Sequence, residues 1–302
     1  MLLTDADPKA KRRALRAGIA SGRIQRVAGA YSPLVAMAVE QAGYEGVYVG
    51  SSTMATEMGV PDIGLVTQTE AAAAGGAVAR VTSLPTIIDV DTGYGEAVNV
   101  ARTIRVMEDA GLAGCHIEDQ LNPKRCGHLD DKQIVPVEEM TTKIRAAVAA
   151  RRDPDFLIIA RTDSRAVEGM EAAIRRGRAY SEAGADMLFP EALADAEGFA
   201  AYRKAVEGPL LANMTEFGKS ALLPAETLQQ LGYAIVLYPV TAQRLAMGAV
   251  EAGLRSILEH GSQNHLLNQM QPRARLYELI GYAEYRRFDE AVGTPSVTFD
   301  KD

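Results

Sequence analysis

The chain has 302 residues, of which 32 are basic and 39 acidic, so its formal charge is −7. This acidic balance argues against a nucleic-acid surface as the main function, because such surfaces are usually basic. Two cysteines exclude a disulfide framework, and no apolar run approaches the roughly 18 residues of a membrane span, so we expect a cytoplasmic protein that binds neither nucleic acid nor membranes.

The N-terminal segment, residues 1–23, is predicted to be helical. It carries the basic run KAKRR at residues 9–13, and no apolar signal-peptide core follows that run. We therefore interpret the basic side chains as decoration of the exposed face of a helix.

From residue 24 onwards, short β-prone runs alternate with longer helical patterns rich in Ala, Glu and Arg. This alternation indicates a parallel sheet built from βα units. The predicted strands are residues 24–30, 46–49, 86–90, 114–117, 156–160, 187–189, 210–212 and 234–237. Eight such units predict a (β/α)8 barrel of the TIM type, over residues 24–241. Because no low-complexity linker divides the chain, we expect residues 1–302 to form a single domain.

The predicted helices between the strands include residues 96–110, 138–150, 170–183 and 225–231. In the first of them, Val100, Ile104 and Met107 recur at helical spacing and can face the barrel. Residues 242–302 are predicted to be a helical tail, with helices at 242–260 and 273–288. Such a tail has few places to bury an apolar face except another subunit, so we expect an oligomer. The alternative is that the tail packs on its own barrel.

Polar side chains follow the carboxyl ends of strand after strand. They are Asp89 and Asp91, Glu118, Arg161 and Asp163, Glu191, and then Asn213 and Thr215. In a barrel these strand ends converge on one face, where the active sites of such enzymes lie. The pattern predicts a single polar pocket, although Glu118 and Glu191, taken singly, could each be structural acids.

The pair Asp89-Val90-Asp91 is predicted to bind a metal, because alternate positions at a strand end can aim two carboxylates at one cation. Mg²⁺ is usually held by one or two carboxylates, with waters and substrate oxygens completing its shell. Histidine is scarce and paired His or Cys spacings are absent, so zinc is not expected. The alternative is capping and turn formation, but the GYG that follows at residues 93–95 indicates a backbone folded tightly beside a ligand.

The segment KRCGH at residues 124–128 places the Cys126 thiol among two cations and an imidazole. Such surroundings favour the thiolate and make a cysteine chemically useful. Cys115, in contrast, lies inside a predicted strand and is expected to be a small buried apolar residue. The two cations of the segment, together with Arg161, are also suited to clamping a multiply charged anion.

Four motifs together resemble the isocitrate lyase and phosphoenolpyruvate mutase superfamily. They are DVDTGYG at residues 89–95, HIEDQ at 116–120, KRCGH at 124–128 and ARTD at 160–163. KRCGH marks the lyase branch, and the resemblance covers about residues 29–285. Within that branch the chain is most similar to the 2-methylisocitrate lyase family, as NMTEFG at 213–218 and QPRARLYE at 271–278 also indicate. Isocitrate lyases proper carry insertions for which this chain has no room.

The resemblance implies cleavage of 2-methylisocitrate to pyruvate and succinate, in the methylcitrate cycle of propionate degradation. It further implies Mg²⁺, with Mn²⁺ as an alternative, held by Asp89 and Asp91. It also implies a homotetramer whose C-terminal helices exchange between subunits. The implied catalytic residues are Cys126, Tyr48, Lys124, His128, Arg161 and Glu118. The implied substrate-binding residues are Ser51, Ser52, Asp62, Arg125, Gly127, Glu191, Asn213, Thr215, Phe189, Leu237, Arg244 and Arg273.

In this interpretation Cys126, as a thiol, protonates the succinate carbanion. Tyr48 is the first choice for the base that acts on the substrate hydroxyl, and Glu118 is the alternative. Phe189 and Leu237 are the apolar positions that leave room for the extra methyl group of the substrate.

One segment departs from the family pattern. Family members show Ser-Gly-Gly or a near variant after the second strand, whereas this chain has Gly50-Ser51-Ser52. The hydroxyl expected to hold the pyruvate-side carboxylate is therefore missing at Gly50, although Ser51 or Ser52 can replace it if the backbone shifts.

Three alternatives stay open at this point. A sister lyase for another 2-hydroxy diacid, such as 2,3-dimethylmalate, would keep Cys126 and the metal pair. A hydrolase or decarboxylase of oxaloacetate would not need the thiol and should retain most activity in a Cys126→Ser variant. A non-catalytic 2-oxoacid-binding protein would not need both the metal pair and the Cys126 segment.

Overall fold

The computed structural model describes residues 7–127 and 131–293. Its eight strands are β1 (Gln25–Gly29), β2 (Gly46–Val49), β3 (Thr86–Asp89), β4 (Gly114–Glu118), β5 (Leu157–Thr162), β6 (Met187–Pro190), β7 (Leu211–Asn213) and β8 (Ile235–Tyr238). Each lies within one or two residues of a predicted strand, because short β-branched runs bounded by Gly and polar residues mark buried parallel strands clearly.

The strands form one parallel sheet in the order β6-β5-β4-β3-β2-β1-β8-β7. A parallel bridge between Leu188 and Leu210 joins β6 to the residue before β7, so the sheet curls into a nearly closed ring. The predicted (β/α)8 barrel is thereby confirmed. Its register brings the carboxyl ends of all eight strands to one rim.

The helices are α1 (Pro8–Ala20), α2 (Pro33–Gln41), α3 (Ser51–Glu57), α4 (Gln68–Ala79), α5 (Ala97–Asp109), α6 (Val137–Ala150), α7 (Ser164–Val167), α8 (Met170–Glu182), α9 (Ala196–Ala205), α10 (Ala225–Gln230), α11 (Thr241–His260), α12 (Arg273–Leu279) and α13 (Tyr282–Val292). The predicted helix over 273–288 is wrong in one respect, since the structure has two helices there. The helix is interrupted at Gly281, which adopts φ 67°, a left-handed conformation that glycine enters without steric cost.

Alternate side chains of the strands enter two separate cores. Ile87 and Ile159 point into the barrel, whereas their neighbours Ile88 and Ile158 pack beneath the surrounding helices. Both faces of the sheet are therefore apolar, as expected for parallel strands covered on the outside by helices. The polar site residues interrupt this pattern only toward the carboxyl ends of the strands.

Helix α1 closes the amino end of the barrel. Leu15 joins the interior core, with 2% of its surface exposed. Lys11 Nζ donates to two backbone carbonyls at 2.7 and 2.6 Å, and Arg12 donates to two others and to Asp153. The expectation that these basic residues are exposed is wrong for Lys11 and Arg12, because their long side chains reach carbonyl groups that precede β3 and β4 and the Asp153 carboxylate that precedes β5.

The tail presents apolar side chains to the outside of the chain. In α11 no residue is buried, and Leu245, Leu254 and Leu258 are 70%, 64% and 86% exposed. Met247, Val250, Leu254 and Leu258 recur at spacings of three and four residues, so they lie on one exposed face of α11, and a contiguous apolar face of this kind marks an interaction site. Within residues 7–127 and 131–293, no helix is long and apolar enough to cross a membrane.

Candidate active site

A solvent-open cavity lies at the carboxyl end of the barrel. The predicted site residues that line it are Tyr48, Ser51, Ser52, Asp62, Asp89, Lys124, Arg125, Cys126, Gly127, Arg161, Phe189, Glu191, Asn213, Thr215, Leu237 and Arg244. Asp91 and Glu118 are buried behind the cavity wall. Arg273 is exposed on α12 and does not line the cavity, and His128 lies outside the described residues.

Asp89 is the carboxylate at the floor of the cavity. Its Oδ2 accepts from Ser51 Oγ at 2.8 Å and its Oδ1 accepts from the backbone N–H of Asp91 at 2.9 Å. The backbone then turns sharply through Gly93, whose φ is 88° and where a Cβ would lie 2.5 Å from Val100. The tight turn expected after the Asp pair is confirmed, since only glycine fits there without strain.

Lys124 reaches from the loop after β4 into the same acidic group. Its Nζ lies 2.9 Å from Asp91 Oδ1 and 2.8 Å from Ser51 Oγ, and it forms a close ion pair with Asp62. Burial alone would lower the pKa of Lys124, but Glu118 and the three aspartates around it raise that pKa instead. The ammonium is therefore charged and is held between carboxylates in this structure.

The two aspartates differ in their affinity for a proton. Burial and the adjacent charge of Asp89 raise the pKa of Asp91 to about 6. Burial opposes ionisation of Asp89 as well, but the charged Lys124 and Arg161 and the hydrogen bond from the Asp91 N–H outweigh it and lower the Asp89 pKa. Two close carboxylates that share one environment titrate at separated values in this way.

The Asp pair is suited to a divalent cation. Among the described residues no group of three or more His, Cys, Asp or Glu is arranged around a common point. Mg²⁺, however, needs only one or two carboxylates, with waters and substrate oxygens as its other ligands. Within the described part of the chain, the buried Oδ1 of Asp91 accepts no hydrogen bond beyond its ion-pair contact with Lys124. The two aspartates therefore fit a Mg²⁺ ion and would not by themselves complete a zinc site.

Arg161, at the end of β5, is surrounded by carboxylates. Its Nε lies 2.9 Å from Asp163 Oδ2 and 3.3 Å from Glu118 Oε2, while Nη2 lies 3.4 Å from Glu191 Oε2. Its guanidinium also stacks 5.2 Å from the centre of the Phe189 ring. Burial would lower the Arg161 pKa, but these carboxylates raise it well above its ordinary value, so the guanidinium stays charged.

Tyr48 and His116 form a buried pair that the sequence analysis recognised only in part. The Tyr48 hydroxyl lies 2.9 Å from His116 Nε2, and the two rings stack with centroids 5.8 Å apart. Burial and the charge of Asp89 raise the pKa of Tyr48, and burial lowers that of His116, so both groups are neutral. A signal for His116 was present, because alternation along β4 places it on the same interior face as Glu118.

The Cys126 segment packs directly on the floor of the cavity. Cys126 is half-buried, and Gly127 is so close to the floor that a Cβ there would lie 2.2 Å from Arg161 Nη2 and 2.7 Å from Glu191 Cγ. Cys115 is fully buried in β4, where burial raises its pKa well above the ordinary value. The prediction of a small buried apolar Cys115 is confirmed, and the two thiols have opposite environments.

The far wall combines polar and apolar groups. Asn213 Nδ2 lies 3.2 and 3.3 Å from the two carboxylate oxygens of Glu191. Thr215 follows on the same strand end, and Phe189 and Leu237 complete the wall with apolar surface. This wall can accept a carboxylate-bearing fragment beside a methyl-sized group.

Two arginines lie toward the mouth of the cavity and are more exposed. Arg244 on α11 lies 3.3 Å from Glu216 and stacks 5.2 Å from the Phe217 ring centre. Arg125 has about half of its side chain exposed.

Lys132, a few residues after this loop, is buried, although the sequence did not single it out. A long cationic residue in a loop gives no sequence signal that distinguishes burial from exposure.

Comparisons with known proteins agree with the motif analysis. A family model described as phosphoenolpyruvate phosphomutase matches residues 15–258. A probable 2-methylisocitrate lyase 2 of Corynebacterium glutamicum is 53% identical over 289 residues, which cover 96% of this chain and 94% of that protein. Further relatives named 2-methylisocitrate lyase, from Aeropyrum pernix and Shewanella oneidensis, are 46% and 41% identical.

Solved structures agree as well. A structure of 2,3-dimethylmalate lyase superimposes with a TM-score of 0.88 at 31% identity, covering 99% of this chain and all of that one. A phosphonopyruvate hydrolase, solved with oxalate and Mg²⁺, superimposes with a TM-score of 0.87 at 32% identity over 94% of this chain and 99% of that one. The resemblance stated from the motifs is confirmed: the chain belongs to the isocitrate lyase and phosphoenolpyruvate mutase superfamily and, within it, to the 2-methylisocitrate lyase family.

Proposed function

We propose that this protein is a carbon–carbon lyase that cleaves 2-methylisocitrate to pyruvate and succinate. The observation that carries the proposal is that one cavity brings the Cys126 thiol together with the Asp89 carboxylate and the Arg161 guanidinium. Breaking a C–C bond beside a tertiary hydroxyl needs a proton acceptor at the hydroxyl, charge stabilisation and a proton donor for the new carbanion. The cavity contains groups for all three tasks.

Asp89 and Asp91 are proposed to hold Mg²⁺, or Mn²⁺ in its place. When bound there, the ion would lower the cost of negative charge on the substrate hydroxyl and the carboxylate next to it. Arg161, charged and 9% exposed at its side chain, adds positive charge at the same floor.

Tyr48 is the better placed of the two candidate bases. Tyr48 lines the cavity, whereas Glu118 contacts Arg161 and does not line it. Burial raises the pKa of both groups, so neither is a ready base by itself. Tyr48, however, can pass its own proton to His116, provided that Nε2 of His116 is unprotonated. The phenol then takes the proton of the substrate hydroxyl as it gives its own proton to Nε2.

As that proton leaves, the C–C bond breaks, the ketone of pyruvate forms, and the electron pair stays on the α-carbon of the succinate fragment. The residues proposed to hold this fragment through hydrogen bonds are Arg125, His128, Glu191, Asn213 and Thr215. The thiol proton of Cys126 then passes to the carbon and completes succinate. Lys124 is proposed to order the acidic floor, since its ammonium bridges Asp62 and Asp91.

Phe189 and Leu237 are proposed to accommodate the methyl group that distinguishes 2-methylisocitrate from isocitrate. Both side chains are 1% exposed and face the cavity from β6 and β8. One buried methyl group contributes about 0.8 kcal/mol of apolar transfer free energy, so this wall gives a modest preference between the two substrates. The reaction would serve propionate degradation through the methylcitrate cycle.

The Gly50-Ser51-Ser52 segment favours one second candidate, a sister lyase for another 2-hydroxy diacid such as 2,3-dimethylmalate. Gly50 brings no hydroxyl to the cavity, and Ser51 Oγ is already engaged by Asp89 and Lys124. Ser52 lines the cavity and is the remaining hydroxyl of the segment. If Ser52 does not hold the pyruvate-side carboxylate, the preferred diacid changes while the C–C cleavage is kept.

The exposed apolar residues of α11 support a homo-oligomer, which we propose to be a tetramer with exchanged C-terminal helices. Their exposed fractions, up to 86% at Leu258, are those of an interface in a free subunit. We further propose a cytoplasmic location and a single domain in which residues 242–302 are an extension of the barrel.

The test is release of 2-oxoacid from 2-methylisocitrate, isocitrate and 2,3-dimethylmalate, followed with lactate dehydrogenase, with Mg²⁺ and with EDTA. Product identity must be confirmed by chromatography, because glyoxylate from isocitrate is also reduced. Metal-dependent turnover of 2-methylisocitrate above the other two supports the proposal. Cleavage of another diacid in its place would support the second candidate, and no cleavage of any would refute both.

Two cysteine variants separate lyase chemistry from hydrolysis. Cys126→Ser should lower lyase turnover by about 10²-fold or more, because the proton donor for the carbanion is weakened. Cys115→Ala is the matched control, since that thiol is buried in β4 away from the cavity. Full activity of Cys126→Ser toward oxaloacetate would identify a hydrolase or decarboxylase.

A further inference from the structure

Lys132 is a buried lysine that none of the steps above uses. It is 6% exposed, and its ammonium is inside the protein although the residue lies in a loop. Lysine is almost never buried unless it is paired. Its Nζ donates to Asp163 Oδ1 at 2.7 Å and makes a close hydrogen bond to the backbone carbonyl of Gly127.

The first partner, Asp163, is shared with Arg161. Arg161 Nε donates to Asp163 Oδ2 at 2.9 Å and Nη2 donates to Oδ1 at 3.2 Å, so Oδ1 accepts from both cations. The backbone N–H of Asp163 is fixed in turn by Asp119 Oδ1 at 2.9 Å. Lys132 thus connects to a carboxylate whose own position is fixed and which orients the guanidinium at the cavity floor.

The second partner is the carbonyl of Gly127, the residue that immediately follows Cys126 in the chain. On the other side of Cys126, the Gln120 side chain accepts from the backbone N–H of Arg125 at 2.9 Å and donates to its carbonyl at 2.8 Å. The thiol residue is therefore held between two anchors. Gln120 supplies the first anchor, and Lys132 supplies the second and joins it to the floor.

We propose that Lys132 is a positioning residue, which fixes the Cys126 thiol relative to Arg161 by bridging the Gly127 carbonyl and Asp163. The part of this inference that concerns catalysis rests on the proposed function. The geometric part does not, because it predicts the position and accessibility of a thiol whatever the substrate is.

The test uses Lys132→Met, which keeps the length of the side chain and removes its donors. We expect alkylation of Cys126 by iodoacetamide, followed by mass spectrometry of its peptide, to become at least about 10-fold faster, because the released loop exposes the thiol. We expect kcat for 2-methylisocitrate to fall by about 10²-fold, as displacement of a reacting group by about 1 Å does, with a smaller change in KM. The Cys115 peptide is an internal reference in the same digest.

Lys11→Met is the matched control, because Lys11 is equally buried and donates to two backbone carbonyls at the opposite end of the barrel. It should lower the Tm but leave both the alkylation rate and kcat within about twofold. If Lys132→Met fails to fold, Lys132→Gln, which keeps one donor group, replaces it with the same expected direction.

An alkylation rate of Cys126 that is unchanged in a folded Lys132 variant overturns the proposal, as does an equal increase in Lys11→Met. A faster alkylation with unchanged kcat also overturns it, because the thiol position would then be irrelevant to turnover. Absence of turnover in the wild type would refute the proposed function alone, since the alkylation result is read without substrate.

Discussion

Gly127 allows the most quantitative prediction, because the space beside it is defined on two sides. A Cβ at this position would lie 2.2 Å from Arg161 Nη2, 2.7 Å from Glu191 Cγ and 3.0 Å from Glu191 Cδ. Bringing the first contact from 2.2 Å to 3.4 Å, the lower limit of an ordinary van der Waals contact, needs a displacement of about 1.2 Å. Either the loop rises by that amount or the buried Arg161 moves away from its carboxylates.

The loop is the element expected to yield. Moving Arg161 would strain contacts with three carboxylates, and overpacking of a rigid interior costs about 1–3 kcal/mol. A rise of the loop, in contrast, keeps most of the buried contacts but carries Cys126 away from the floor. Since a misplacement of about 1 Å can cost about 10²-fold in rate, Gly127→Ala should lower kcat by about that factor with a small loss of stability.

The assay is steady-state kinetics of 2-methylisocitrate cleavage together with thermal unfolding of the same preparation. Gly198→Ala is the matched control, because a Cβ there would meet only ordinary contacts at 3.6–4.0 Å. A Gly127→Ala protein with wild-type kcat would refute the reasoning, because it would mean that the loop does not rest on Arg161 during turnover.

Three further outcomes are expected. Tyr48→Phe, which removes the hydroxyl that lies 2.9 Å from His116 Nε2, should lower kcat by about 10²-fold while KM changes little; a kcat within threefold of wild type would exclude Tyr48 as the base. Mg²⁺ affinity, measured by calorimetry, should weaken as the pH falls through about 6, because the Asp91 pKa is raised to about 6 and a proton competes with the ion; a flat profile from pH 5 to 8 would contradict ligation by Asp91. Leu254→Asp should reduce the mass measured by light scattering, whereas Val98→Asp, at a site 82% exposed on α5, should not; equal masses would show that α11 is not an interface.

Much of the fold could be predicted from the sequence, because strand and helix signals in a parallel barrel are local. The strands appear as short apolar runs, and glycines with positive φ, such as Gly111 and Gly184, follow the helices that precede β4 and β6. The break at Gly281 was missed because a single glycine within a helical pattern is tolerated and does not by itself mark an interruption.

The candidate site could be predicted where chemistry-bearing residues follow strand ends, and not where they depend on packing. Asp89, Arg161 and Glu191 were found in this way, since a barrel brings such positions together. Lys132 and the pairing of His116 with Tyr48 were not, because a sequence does not show which buried polar group meets which partner. The pairing of Lys124 with acidic side chains was likewise outside the reach of sequence spacing.

The position of α1, which closes the amino end of the barrel, has a consequence for how the chain folds. This helix precedes all eight strands in the chain, yet Lys11 donates to a carbonyl 68 residues further along and Arg12 pairs with Asp153, 141 residues further along. Its two cations must therefore stay hydrated until about half of the barrel exists, and contacts of such long sequence separation are slow to form because the loop-closure entropy is lost first. Helix α1 can therefore pack in its native position only after the first half of the barrel has formed. A chain truncated before that point lacks the groups to which α1 binds.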